Sequence, residues 1–212
     1  MTESEECVES RVLEMEQIEK NIQKNVINFC KMLPGHVEKW RLLLADIQKP
    51  AKALGNYSEQ LRHVEGANIP YLENFIEIQE TLKYRLYTEI EEELKLLKNI
   101  IDQLAQSVQD LKNKLSLLER STFNLNWESD SQLIRGSPVQ PPLSHILDKG
   151  FEFCLYFSKA VKQMNEHVKA INVRDEECMK KLEKSFDVKL DEDFIRQFLA
   201  IVQYINNESI IT

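Results

Sequence analysis

Leu94-Lys-Leu-Leu-Lys-Asn-Ile-Ile-Asp-Gln-Leu-Ala-Gln-Ser-Val-Gln-Asp-Leu-Lys-Asn-Lys-Leu-Ser-Leu-Leu118 is the stretch that decides the fold. Its apolar residues Leu94, Leu97, Ile101, Leu104, Val108, Leu111, Leu115 and Leu118 recur at 3, 4, 3, 4, 3, 4, 3. That is the a and d spacing of successive heptads, which lays all eight along one seam of a helix. A strand would need alternation, period two. Phe75, Ile78, Leu82, Leu86 and Ile90 lead into the seam at spacings of 3, 4, 4, 4 and again 4 to Leu94. The extra fours are stutters, which locally unwind a supercoil. Between Asn68 and Arg120 there is no Gly and a single Pro, Pro70, placed where the first turn of a helix tolerates it. The reading is a helix over 68–120, capped by Asn68 and roughly 75 Å long at the usual rise per residue. The fold class is all-α: an elongated helical bundle built around one long coiled-coil-like helix. Its seam is buried within the chain or partly left over for another one.

The rest of the chain arranges itself around that helix. Residues 1–10 read as an acidic flexible tail. Residues 11–67 read as an N-terminal helical arm carrying Val12, Met15, Ile18, Ile22, Val26, Phe29, Leu33, Val37, Trp40, Leu44, Ile47, Leu54, Leu61 and Val64 at helical spacing. Pro34-Gly35 predicts a turn or sharp kink, Pro50 a kink or break, and Gly55-Asn56 a further irregularity. Residues 121–142, with Pro138, Pro141 and Pro142, read as a linker. Phe123, Trp127, Leu133 and Ile134 would either pin it to the bundle or serve as a docking peptide. Residues 143–212 read as C-terminal helices, with Ser144 placed to cap the first, a shorter piece from Asp175 to Phe186, and Asp191 placed to cap the last, and the whole as one domain. In Phe151-Glu-Phe-Cys-Leu-Tyr-Phe157, Phe151, Cys154 and Leu155 are read as the core stripe. Phe153 and Tyr156 fall away from it, so the helix is apolar nearly all round, and either two layers of this chain sandwich it or another protein covers the second face. Phe153 and Tyr156, together with Trp127, are the candidate interface residues, because exposed aromatics make interface anchors.

With 212 residues, 42% apolar and 29% charged, the chain can bury a core and keep a soluble surface. Five Gly and six Pro are too few for the turns of a β-fold. A net charge of −8 removes the global cationic surface on which phosphate binding draws, so direct nucleic-acid binding is disfavoured. No run approaches the roughly 18 apolar residues of a membrane span, and the start of the chain lacks a signal peptide's pattern. Cys7, Cys30, Cys154 and Cys178 are scattered and form no CxxC pair, so reduced, buried thiols are expected. His36, His63, His145 and His167 offer no HExxH, and there is no GxxxxGK[ST] phosphate cradle and no GxSxG elbow. Glu89, Glu91, Glu92 and Glu93 cluster on one helix, but a diiron bundle would need Glu-x-x-His on facing helices. The expectation is a non-enzyme without metal or cofactor.

Several stretches together resemble one family. Glu38-Lys-Trp-Arg-Leu-Leu-Leu-Ala-Asp-Ile-Gln-Lys-Pro50, the run from Asn68-Ile-Pro-Tyr to Leu86, and Lys180-Lys-Leu-Glu-Lys-Ser-Phe-Asp187 followed by Asp191 are similar to AIRIM, the ATPase-interacting ribosome maturation factor. Trp40, Pro50 and Ile69-Pro70 carry most of the likeness; residues 121–142 depart from it, and the 151–171 helix is less basic than the family's. Pro141-Pro142-Leu143 also resembles the related cyclin-dependent-kinase-interacting protein family. The resemblance implies a non-catalytic subunit that pairs with a second small helical subunit and serves a AAA+ ATPase complex. Such a complex releases shuttling assembly factors from pre-60S particles and is linked to replisome and chromatin protein turnover, in cytoplasm and nucleus. The residues by themselves leave open a structural coiled-coil subunit of a cytoskeletal or tethering complex.

Overall fold

A computed structural model describes residues 3–71 and 73–205, with side chains from residue 13 onward apart from that of Glu183. Cys7 and Val12 therefore lie outside the described side chains. The elements are α1 (Glu3–Gly66), α2 (Phe75–Ser121), α3 (Gln132–Arg135), α4 (Leu143–Lys169), α5 (Glu176–Phe186) and α6 (Glu192–Val202). Among the described residues there is no strand, only a bridge between Ser137 and Gln140. The fold is an all-α helical bundle. No helix among the described residues is long and apolar enough to cross a membrane.

Three expectations about helix ends are corrected. α1 runs unbroken through Pro34-Gly35, Pro50 and Gly55-Asn56, and it takes in residues 3–10, read above as a tail. An interior proline costs about 3 kcal/mol. Leu33, Val37 and Trp40 around Pro34, and Ile47, Ala51 and Leu54 around Pro50, are all buried. Each large side chain among them gains roughly 1.5–3 kcal/mol on burial, so packing outweighs the lost hydrogen bond. α2 starts at Phe75, not Asn68. Ile69, held extended by the following Pro70, and a turn ending in Asn74 intervene. Asn74 adopts φ 62°, a left-handed conformation that Asn tolerates better than most residues. Its carbonyl accepts the first α2 bond from the Ile78 N–H at 3.1 Å. Ser144 is no cap either: α4 already starts at Leu143, behind Pro141-Pro142. The two aspartate caps form as their chemistry requires. Asp175 accepts from the N–H groups of Glu177 (2.9 Å) and Cys178 (3.1 Å), and Asp191 from that of Phe194 (2.9 Å).

The chain forms two compact units. The first takes residues up to Glu38, Ser107–Phe157 and Leu190 onward; the second takes Lys39–Gln106 and Ser158–Lys189. In the first, α1 buries Ile22, Val26, Phe29, Leu33 and Val37, and α2 buries Val108, Leu111, Leu115 and Leu118. α4 presents Leu143, Ile146, Gly150, Phe153 and Phe157 at 3, 4, 3, 4. At Gly150 α4 approaches its neighbours tightly: a Cβ there would lie 2.9 Å from Leu115 Cδ1 and 3.2 Å from Phe29 Cζ. Since Leu115 and Phe29 are themselves buried, neither has room to withdraw. Gly150→Ala would be offset by helix propensity of roughly 1 kcal/mol. The wider Gly150→Val should overpack the seam by about 1–3 kcal/mol and lower the melting temperature by several degrees. A circular dichroism melt checks this, and an unchanged midpoint would show the contact to be slack.

The 121–142 segment is tied to the first unit, but not by all the residues expected. Leu125 and Leu133 are buried, whereas Phe123 is 90% and Trp127 45% exposed. The buried amides of Gln23 and Gln140 exchange hydrogen bonds of 2.6 and 3.0 Å across 117 residues of sequence, and satisfy each other inside the core.

In the second unit α1 buries Trp40, Ile47, Leu54 and Leu61, α2 buries Leu86, Ile90, Leu97, Ile101 and Leu104, and α5 buries Met179, Leu182 and Phe186. The Gln48 side-chain amide donates to the Phe186 carbonyl. Arg174 closes a clasp after α4: its guanidinium donates to Glu65 Oε1 (3.0 Å) and to the Tyr87 hydroxyl (2.7 Å), while Tyr87 donates to the same carboxylate (3.1 Å). Gln79 Nε2 donates to the Val64 carbonyl at 2.7 Å, holding the start of α2 against the end of α1.

Candidate interaction surfaces

On α4 the core stripe is not the one the local angles suggested. Phe153 is fully buried and Cys154 nearly so, whereas Phe151 is 49% and Leu155 54% exposed. Phe153 meets the rings of Phe198 at 4.6 Å, Phe157 at 4.9 Å and Phe194 at 6.1 Å. Phe157 meets His36 edge-on at 4.7 Å, and His36 Nδ1 shares a 2.9 Å hydrogen bond with the Ser107 hydroxyl. Tyr156 is half-buried, its ring 5.1 Å from those of Phe157 and Phe194. Its hydroxyl accepts from the Asp191 N–H at 2.8 Å, which fixes the approach to α6. Phe153 and Tyr156 are thus used inside the first unit: of the two readings of α4, burial between layers of this chain holds, and the placing of these two rings at an exposed interface is corrected. The misreading has a physical cause. Phe151 with Leu155 and Phe153 with Phe157 are both i, i+4 pairs, and seven residues cannot choose between them. Trp127 does lie at the surface.

Of the seam residues, Leu97, Ile101, Leu104, Val108, Leu111, Leu115 and Leu118 are at most 4% exposed, and Leu94 is half-buried. The run before it behaves differently. Leu86 and Ile90 are buried, yet Ile78 is 45% and Leu82 43% exposed. Each step of four advances the face by about 40°, so Ile78 and Leu94 stand roughly 160° apart round the helix. No single stripe can hold that run. Ile78 and Leu82 instead begin a second line, Ile78, Leu82, Arg85, Glu89, Glu92 and Leu96, spaced 4, 3, 4, 3, 4. Leu96 is 52% exposed; along the line only Glu89 is half-buried. This spacing is present in the sequence, but Ile78 and Leu82 also fit the run of threes and fours that leads into the buried seam, which masks it.

Around that line the carboxylates crowd one another. The Tyr57 hydroxyl is pushed above its ordinary pKa, first by the charge of Glu89, then by partial burial and by Glu93. Glu93 is likewise raised, by burial and by the charges of Glu89 and Glu92. Two thiols are quiet: burial pushes Cys30 up to about 12 and Cys154 up to about 11. Cys178 is half-buried and donates to the Ala170 carbonyl at 3.2 Å. It lines a surface cavity of about 570 Å³ with His167, Lys181, Leu182 and Lys184. Among the described residues no three His, Cys, Asp or Glu side chains converge as a metal would require.

The class defined so far is an all-α bundle whose buried polar groups join its own helices. The chain belongs to the family of ribosome biogenesis proteins described as C1orf109-like, the AIRIM family, whose profile matches residues 20–210. The match covers the Trp40, Pro50 and Ile69-Pro70 positions on which the resemblance was read. Nothing among the curated proteins compared with the chain matches it.

Proposed function

We propose that this chain is a non-catalytic adaptor in maturation of the large ribosomal subunit. It pairs with a second small helical protein and recruits or regulates a AAA+ ATPase that releases shuttling assembly factors from pre-60S particles. The observation that carries the reading is membership, over residues 20–210, of a ribosome biogenesis family. The nucleotide chemistry is assigned to the ATPase, because this chain has no phosphate cradle of the GxxxxGK[ST] type. The adaptor acts in cytoplasm and nucleus, and a role in replisome and chromatin protein turnover follows from the same ATPase partnership. Affinity purification of the tagged chain should bring down a AAA+ ATPase with large-subunit assembly factors, and the isolated chain should show no ATP binding in calorimetry. Recovery of tubulin or vesicle components in their place, or stoichiometric ATP binding, would overturn the reading.

A further inference from the structure

The line Ile78–Leu82–Arg85–Glu89–Glu92–Leu96 is a second heptad seam on α2. It stands roughly 100° round the helix from the buried one. Ile78, Leu82 and Leu96 keep 45%, 43% and 52% of their surface in contact with solvent. Apolar side chains at a and d spacing are the anchors a second helix uses when it lies along the first. Between the apolar ends the line is acidic. Glu89 and Glu92 lie on it and Glu93 beside it, with Arg85 as the one cation on the line. These carboxylates repel one another: after burial, the charges of Glu89 and Glu92 help to hold Glu93 in its uncharged form to higher pH, and the charge of Glu89 does so first for Tyr57. A second copy of the chain lying parallel would set the same carboxylates face to face. One lying antiparallel would pair Arg85 with Glu89 but leave Glu92 and Glu93 without a cation, and a nucleic acid or an anionic membrane would add to the repulsion. A helix with apolar side chains opposite the ends and Lys or Arg opposite the centre relieves it.

We propose that this stripe of α2 docks a basic amphipathic helix of a partner protein. The proposal rests on the reading of the chain as an adaptor that pairs with another helical protein, and it names the surface and the chemistry of the pairing. Apolar ends supply the contact area, and the acidic centre sets register and rejects acidic helices.

The probes are two labelled helical peptides of about four heptads, with Leu opposite the ends of the stripe and either Lys or Glu at the central seam positions. In fluorescence anisotropy with the full chain, the Lys peptide should bind at least about tenfold more tightly than the Glu peptide, and more weakly as salt rises. Leu82→Ser with Leu96→Ser should lose the Lys peptide. Glu89→Gln with Glu92→Gln should keep binding but lose the preference. Both variants should melt close to the parent chain, since Leu82 and Leu96 lie outside the buried seam with about half of their surface exposed, and Gln keeps the shape and hydrogen-bonding capacity of the half-buried Glu89. Equal binding of the two peptides, no binding of either, or a lowered melting temperature for the double Ser variant would each overturn the proposal. So would sedimentation showing a homodimer that the same substitutions dissociate. If the peptide binds as expected while no ATPase co-purifies, the adaptor reading fails and the stripe stands. An ATPase that co-purifies undiminished with both variants, together with no peptide binding, leaves the adaptor and removes the stripe.

Discussion

Leu104→Asp should abolish the cooperative melt of the protein, and Leu111→Asp should do the same. Leu104 and Leu111 are fully buried, each among the apolar residues of its own unit. Removing a buried Leu side chain alone costs about 2–5 kcal/mol. A carboxylate left without a partner in that place adds a penalty of several kcal/mol, or must be protonated at a similar cost. Total stabilities are about 5–15 kcal/mol, so the sum consumes most or all of what is available. Leu117→Asp is the internal control. That residue is 50% exposed, and exposed substitutions change stability by about 0.5 kcal/mol or less. Circular dichroism melts of the three variants decide the matter. If Leu104→Asp melted with Leu117→Asp, the seam would be carrying no load.

Phe153→Ala should lower the stability of the isolated chain by about 3–5 kcal/mol, the usual cost of emptying a buried Phe site. Its ring is fully buried and sits among Phe157, Phe194 and Phe198. The cavity would open where α4 meets α6, and the loss of edge-on and offset ring contacts adds to the transfer term. Phe151→Ala, two residues away and 49% exposed, should cost a small fraction of that. The measurement is a pair of denaturant titrations. Equal midpoints for the two variants would return Phe153 to the surface and restore the stripe of Phe151, Cys154 and Leu155.

The length of each repeating pattern sets how much of the fold is legible in the sequence. From Leu97 to Leu118 three heptads repeat without interruption, and a one-residue error in phase would misplace every Leu. That redundancy made the long helix and its buried face legible. On α4 the same 3, 4 rhythm runs through Leu143, Ile146, Gly150, Phe153 and Phe157, but its middle position carries no side chain. Gly150 leaves a gap where an apolar marker belongs, and Phe151 next to it offers a false one. The prolines misled for the opposite reason: their local cost is real, but it is smaller than the burial on either side. The exposed line on α2 was written in the sequence as plainly as the buried one. What the letters lack is the position of the neighbouring helices, against which Leu86 and Ile90 are buried while Ile78 and Leu82 stay open.

The way the first unit is gathered from the chain bears on how the protein is made. Its core needs α1 up to Glu38, the end of α2, the start of α4 and finally Phe194 and Phe198 of α6. Contacts between residues so far apart in sequence close late, because the entropy of the intervening loops must be met first. During synthesis α1 and the Leu97–Leu118 seam emerge long before α6. Until it arrives Phe153 has no lid, and a long apolar seam waits partly uncovered. Such half-finished chains are the species most prone to associate wrongly. A member of a ribosome biogenesis family thus has its first core completed only by α6, the latest made of the helices that build it.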